Sequence, residues 1–162
     1  MNVSMFISAV FIGLGATLVL DVWAELMKRT IKSPTTNWCF VGRWFSHMQQ
    51  GEFKHTIIAA SEQRPFECAI GWIAHYVIGA VYGVLFVLLV SAAWLQQPTV
   101  LPALLFGIVT IIFPMFVMQP AFGMGIAAAK SPNPLAARFK TIVNHSIFGL
   151  GFYLSALLIQ GI

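Results

Sequence analysis

Charge is scarce in this chain. Only 9% of its 162 residues are Asp, Glu, Lys or Arg, against about a quarter in a soluble globular domain. So few charges could not keep a protein of this size dissolved in water, which excludes a soluble domain. Cysteine is nearly absent as well. Cys39 and Cys68 are the only two, and they form no CxxC pair. Both fall in or beside a segment assigned below to the cytoplasmic side, where thiols stay reduced. Neither a disulfide nor metal ligation by them is therefore expected. The chain has no HExxH, no nucleophile elbow and no phosphate loop. Catalytic residues, a cofactor and a metal are accordingly not expected, and the chain does not read as an enzyme. The net charge of +4 is no nucleic-acid signal, because the basic residues sit between apolar runs and not among stacking aromatics on a soluble face.

What the chain has in abundance is apolar surface. It is 59% hydrophobic, with fourteen Phe and five Trp. A membrane-spanning helix needs about 20 mostly apolar residues at a rise of about 1.5 Å each. Four stretches qualify, at about 4–27, 66–95, 99–129 and 137–160. The sequence therefore predicts an all-α integral membrane four-helix bundle forming a single transmembrane domain, with the lipid bilayer as its main partner. The first stretch is not a signal peptide by pattern. Met1 to Met5 carry no Lys or Arg, and a signal peptide needs a basic start.

Orientation follows from the basic residues. Lys28, Arg29, Lys32, Arg43, Lys54 and Arg64 fall in the first connection and Lys130, Arg138 and Lys140 in the third. The second, Gln96-Gln97-Pro98, has none. The positive-inside rule makes the charged side cytoplasmic. Both termini are then periplasmic, in a bacterial inner membrane.

The first connection, about 33–64, is too long for a turn. Ser33-Pro34 reads as a helix start with Pro at the first helical position. Trp38, Val41, Trp44, Phe45 and Met48 recur near helical period, and Gly51 can close the helix. This predicts an amphipathic cytoplasmic helix between helices one and two, lying on the membrane surface with Trp inward and Arg43 outward. A small cytoplasmic cap is the rival reading.

The two halves resemble each other. Lys32-Ser33-Pro34 recurs as Lys130-Ser131-Pro132, and at equal distance before each Ser stands a polar intramembrane residue, Asp21 or Gln119. After each Ser-Pro comes a helix carrying His-x-x-x-Gly: His75 to Gly79, and His145 to Gly149. This points to a parallel two-helix repeat about an axis along the membrane normal. Within helices, small and polar residues recur four apart: Gly13, Thr17 and Asp21 in the first; Gly71, His75, Gly79 and Gly83 in the second; Thr141, His145 and Gly149 in the fourth. Residues four apart share a face, and small residues there let helices approach closely. Both His lie about 8–9 residues in, or roughly 12–13 Å deep. A polar intramembrane cluster of Asp21, His75, Gln119 and His145 is expected. Its alternatives are interhelical hydrogen bonding for the histidines and headgroup pairing for Asp21. Glu25 reads as a headgroup-level partner of Lys28 or Arg29. Met118-Gln119-Pro120 with Gly123 and Gly125 marks a broken or ending third helix.

Gly13-Leu14-Gly15-Ala16-Thr17 with Asp21, Gly42-Arg43-Trp44, Met118-Gln119-Pro120-Ala121, Ser131-Pro132-Asn133-Pro134 and Asn144-His145 occur in order along nearly the whole chain. In these motifs the chain resembles a bacterial inner-membrane family, a domain of unknown function. The resemblance implies a small four-helix membrane protein and assigns no activity. Three functions remain open. A small transporter or permeation subunit, working as a homodimer on an unknown substrate, is the first. A structural or accessory membrane protein whose polar residues serve packing is the second. A bis-His haem protein is a remote third. A polar, water-reached cavity favours transport; a dry core favours the accessory role.

Overall fold

The computed structural model describes residues 1–161, of Ala92 the backbone alone. Among the described residues every regular element is helical. The α-helices are α1 (Val3–Ile31), α2 (Trp38–Met48), α3 (Glu67–Gln96), α4 (Val100–Val109), α5 (Gln119–Ala121) and α6 (Pro134–Gln160). Short 3-10 turns cover Ile58–Ala60 and Ile126–Ala128, and a wide π turn covers Pro114–Met118. Four stretches, Val3–Ile31, Glu67–Ser91, Val100–Ala121 and Pro134–Gln160, are long and apolar enough to cross a membrane. This agrees with the all-α class. Their outward faces are apolar too. Ile7, Phe11, Leu18 and Val22 stand exposed along one side of α1, and Ile73, Val77, Val81 and Leu85 along one side of α3. A helix that is hydrophobic all round suits lipid or a protein interior.

Local chemistry sets the helix ends. Asn2 caps α1, its Oδ1 accepting the Met5 N–H at 2.9 Å. The other end runs on past Met27 to Ile31, where Lys28 and Arg29 meet the negative carbonyl end of the helix dipole. Lys32 closes it in the left-handed region, φ 55°. At α6, Asn133 Oδ1 accepts the Ala136 N–H at 3.1 Å and Pro134 takes the first position, so this helix starts earlier than Ala137. The Ser-Pro at 33–34 does not start a helix. Asn37 is the cap of α2, its Oδ1 accepting the Cys39 N–H at 3.1 Å. The third apolar stretch is shorter than its hydropathy. Pro114 opens the π turn, the helix ends at Ala121, and Gly123 (φ 87°) and Gly125 (φ 74°) turn the chain away. Residues 122–129 are apolar but not part of a long helix.

The chain divides into two compact units. The first comprises Met1–Thr35, Tyr76–Val109 and the chain from Val143 onward. Ile12, Phe86, Val87 and Phe152 are fully buried in its core. Aromatic rings fill much of it. Phe86 lies 4.7 Å from Trp94 and 5.1 Å from Phe152 between centroids, and Phe148 lies 4.7 Å from Phe152. The edge-on pairs match the quadrupole preference of aromatic rings. Here α1 and α3 touch backbone to backbone: a Cβ on Gly13 would overlap the Gly79 carbonyl, and one on Gly83 the Ala9 carbonyl. Gly107 of α4 and Gly149 of α6 meet in the same way.

The second unit comprises Thr36–His75 and Thr110–Ile142. Its core is Val41, Trp44, Ile58, Ala121 and Phe122. The segment after α2 is stitched to the end of α5, with the His55 N–H donating to the Ala121 carbonyl at 2.8 Å and the Ile58 N–H to the Phe122 carbonyl at 3.2 Å. The α2 helix is thus packed into a small core on its Val41 and Trp44 side. It crosses α3 closely, since a Cβ on Gly42 would overlap the Glu67 carbonyl and one on Gly71 the Trp38 carbonyl. Three residues before each of these glycines stands a cysteine, and Cys39 and Cys68 are joined in a disulfide with Cα atoms 3.8 Å apart. The expectation of two separate thiols is corrected here. It rested on compartment, whereas the glycine crossing sets the distance.

Two outcomes follow from this packing. Gly79→Leu or Gly83→Leu would push α1 off α3; overpacking typically costs about 1–3 kcal/mol, so each should lower the unfolding temperature in detergent. An unchanged unfolding temperature for both would mean that the crossing does not form. Protein alkylated with a maleimide before any reductant should show no free thiol, and two after reduction; two reactive thiols at the outset would mean the bridge is not made.

Candidate functional site

The four residues of the expected polar cluster divide between the units, Asp21 and His145 in the first, His75 and Gln119 in the second. Asp21 accepts a hydrogen bond from the Tyr76 hydroxyl at 2.8 Å. A polar group on an apolar helix is tolerable when it finds such a partner. Nearby in the same unit, the Trp23 indole N–H donates to Asn144 Oδ1 at 3.3 Å. His145 is half-buried, 6.3 Å from the Phe148 ring, and bonds the Gly107 backbone. His75 is buried, stacked on Trp38 at 3.8 Å and met by Trp72 at 5.8 Å. Gln119 is buried, and its Oε1 has no hydrogen-bond partner. Glu25 pairs with Arg29 at 2.6 Å on an exposed turn, as its spacing implies. Tyr76 was not legible as the partner of Asp21, because the pairing is set by how α3 meets α1.

A second polar constellation lies elsewhere, in the second unit. Arg43 and His47 stand four apart on α2 and are both buried. The expectation that Arg43 faces outward on a surface helix is corrected: the residue is 3% exposed. Its Nε and Nη2 donate to the two oxygens of Glu67, each at 2.8 Å. Its Nη1 donates to the carbonyls of Ile58, Ala59 and Ser61 at 3.2, 3.3 and 3.1 Å. The charge-assisted bond to Glu67 raises the Arg43 pKa further. One planar fork thereby ties α2, the Ile58–Ala60 turn and the start of α3 together, a task for arginine and not for lysine.

Beside it, Glu52 bridges two imidazoles. His47 Nδ1 lies 2.8 Å from Glu52 Oε2 and His55 Nδ1 3.3 Å from Glu52 Oε1. The far nitrogen of His47, Nε2, faces the Glu62 carbonyl at 3.0 Å, with Arg64 Nε at 3.4 Å. His55 Nδ1 also meets Ser61 Oγ at 2.9 Å, while its Nε2 is buried with no partner. Burial lowers the His55 pKa below the ordinary histidine value; Glu52 opposes that and His47 adds to it. The two rings are 5.0 Å apart. His55 also lines a cleft with Lys54, Thr56, Pro120, Gly123, Gly125, Ile126 and Lys130. Sequence reading passed over His47, Glu52 and His55, although two histidines and an acid within nine positions around Gly51 were a visible signal.

Among the described residues the geometry gives an all-helical chain with four helices long and apolar enough to cross a membrane, and a second unit cross-linked by the Cys39–Cys68 disulfide. The chain belongs to the family described as "Protein of unknown function (DUF2938)", which matches residues 10–159. No curated protein and no solved structure matches it.

Breaking the Arg43–Glu67 pair should be costly, because the partner left behind is an unpaired charge in a largely buried place. Arg43→Ala should destabilise the fold by about 3–5 kcal/mol, and Arg43→Lys should recover only part of the loss. Unfolding midpoints in detergent measure both. An Arg43→Ala protein as stable as the parent would show that the fork holds nothing together.

Proposed function

We propose that this chain is an integral membrane protein of the structural or accessory kind, with its four apolar helices set in a bilayer and its polar intramembrane residues serving helix packing. The observation that carries this reading is the filled interior of the first unit. Phe86, Phe148 and Phe152, with Phe106 and Trp94 against them, occupy that core. Backbone contacts at Gly13, Gly79, Gly83, Gly107 and Gly149 close the space between the helices. A core filled by rings in this way, with its cleft confined to the end lined by Ser8, Leu95, Gln96 and Gln160, supports a scaffold over a pathway. Insertion itself is supported by the exposed apolar rows on α1 and α3, since each Å² of such surface left in water costs about 25 cal/mol.

The nine basic residues support a placement in a bacterial inner membrane with both termini periplasmic. The Cys39–Cys68 bridge weighs the other way, since that placement puts it on the reducing side. We adopt the charge-based orientation, because all nine basic residues agree on it. Alkaline phosphatase fused at Gln97 should then be active and at Gly51 inactive; the opposite pair of results would invert the protein.

Transport by a homodimer is the second reading, and Asp21 is the observation that favours it: a carboxylate within a candidate span, bonded to Tyr76. Vesicles reconstituted with the protein decide between the two. Under the accessory reading they hold a pH gradient as well as protein-free vesicles do, and Asp21→Asn changes little, because the amide oxygen still accepts from Tyr76. A protein-dependent leak that disappears in Asp21→Asn would overturn the accessory reading.

A further inference from the structure

We propose that His47, Glu52 and His55 form a binding site for a divalent cation of the zinc class, one that fastens the segment after α2 to that helix. Each of the three offers a ligand atom, and these atoms all lie within 4.8 Å of one another. Two imidazoles and a carboxylate are a donor set that suits zinc and its late first-row neighbours and not magnesium or calcium, which take oxygen. The spread exceeds what a bound ion would leave, so the three donors draw together on binding. Glu52 can supply that movement. Its side chain is 51% exposed and sits in the turn after Gly51, while the two imidazoles are buried on a packed frame.

The surroundings fit a cation. His47 approaches Glu52 through Nδ1 and keeps Nε2 against the Glu62 carbonyl. A backbone carbonyl behind an imidazole is the usual support that orients a metal-binding histidine. Ser61 Oγ, 2.9 Å from His55 Nδ1, adds a further oxygen at the edge of the group. The fold uses only one nitrogen of His55, leaving Nε2 buried with no partner. Arg64 stands on the far side of His47, its Nε 3.4 Å from Nε2, and its other end is engaged by Gln50 at 2.6 Å and by Glu62 at 3.3 Å. With three protein ligands and one acid open to solvent, a coordination position is left for water. The site would bind its cation whether or not the chain moves anything across a membrane.

The test uses the full chain in detergent, without a histidine tag, stripped with a chelator that is then removed. Cobalt(II) alone is added, and then zinc(II). We expect one equivalent of cobalt to give the strong visible bands of a four- or five-coordinate site, zinc to bleach them, and zinc to raise the unfolding temperature. Glu52→Gln removes an exposed carboxylate and should leave the fold intact; it should weaken zinc binding at least ~10-fold, as should His55→Ala. His145→Ala, on α6, should bind as the parent does. Absence of the bands and of the zinc-dependent rise in the parent would overturn the proposal. So would binding that survives in Glu52→Gln, or that is lost in His145→Ala. If His47→Ala or His55→Ala fails to fold, Glu52→Gln still decides.

Discussion

The guanidinium of Arg43 is the point on which the second unit hangs. A positive charge taken out of water costs several kcal/mol, and here the cost is offset by two bonds to Glu67 and three backbone carbonyls. Those carbonyls belong to a short turn whose Ile58 N–H is also held by the Phe122 carbonyl. Because they converge on one side chain of α2, the loop between α2 and α3 becomes a wall of a small core. The same anchoring brings Ser61 to His55 and Glu62 to His47. The polar cluster around Glu52 is thus a consequence of where Arg43 sends its donors.

The first unit follows a different logic. If its helices lie in a bilayer, as proposed above, no hydrophobic drive acts between them, and their association rests on close van der Waals packing and a few interhelical hydrogen bonds. Glycines bring α1 to α3 and α4 to α6 at backbone distance. Large rings then fill the remaining interior, and the few polar side chains pair locally, as Asp21 does with Tyr76. The two units therefore divide the work: one is held by shape, the other by charge and a covalent bridge.

Much of the helical framework is legible in the sequence, and the reasons are physical. An apolar run long enough to span lipid has few other uses, and the run at 66–95 falls on the helical stretch Glu67–Gln96, which breaks at Ser91 (φ 71°). The glycine stripes report close approach because a glycine leaves a visible gap in an otherwise bulky helix. What the sequence hides is set by partners distant along the chain. Arg43 looks like an outward charge on an amphipathic helix until Glu67 and the Ile58–Ser61 carbonyls are in place. Hydropathy alone extends the third stretch to Ala129, yet Pro114, Gly123 and Gly125 bend and end it. Ser33-Pro34 has the pattern of a helix start but no helix follows it, whereas the fourth helix starts at Pro134, ahead of where hydropathy begins it, because Asn133 caps its first turn. The candidate cation site is hard to read from sequence because its residues flank a turn and no helical period links them.

The bridge between Cys39 and Cys68 closes a covalent ring whose ends are 29 positions apart. His47, Glu52 and His55 all lie inside it, as do Arg43 and the turn it holds. A protease that cuts the exposed Glu52–Lys54 corner therefore opens a ring and does not divide a chain. The two pieces stay joined, and the helices on either side remain one molecule until a reductant reaches the sulfurs.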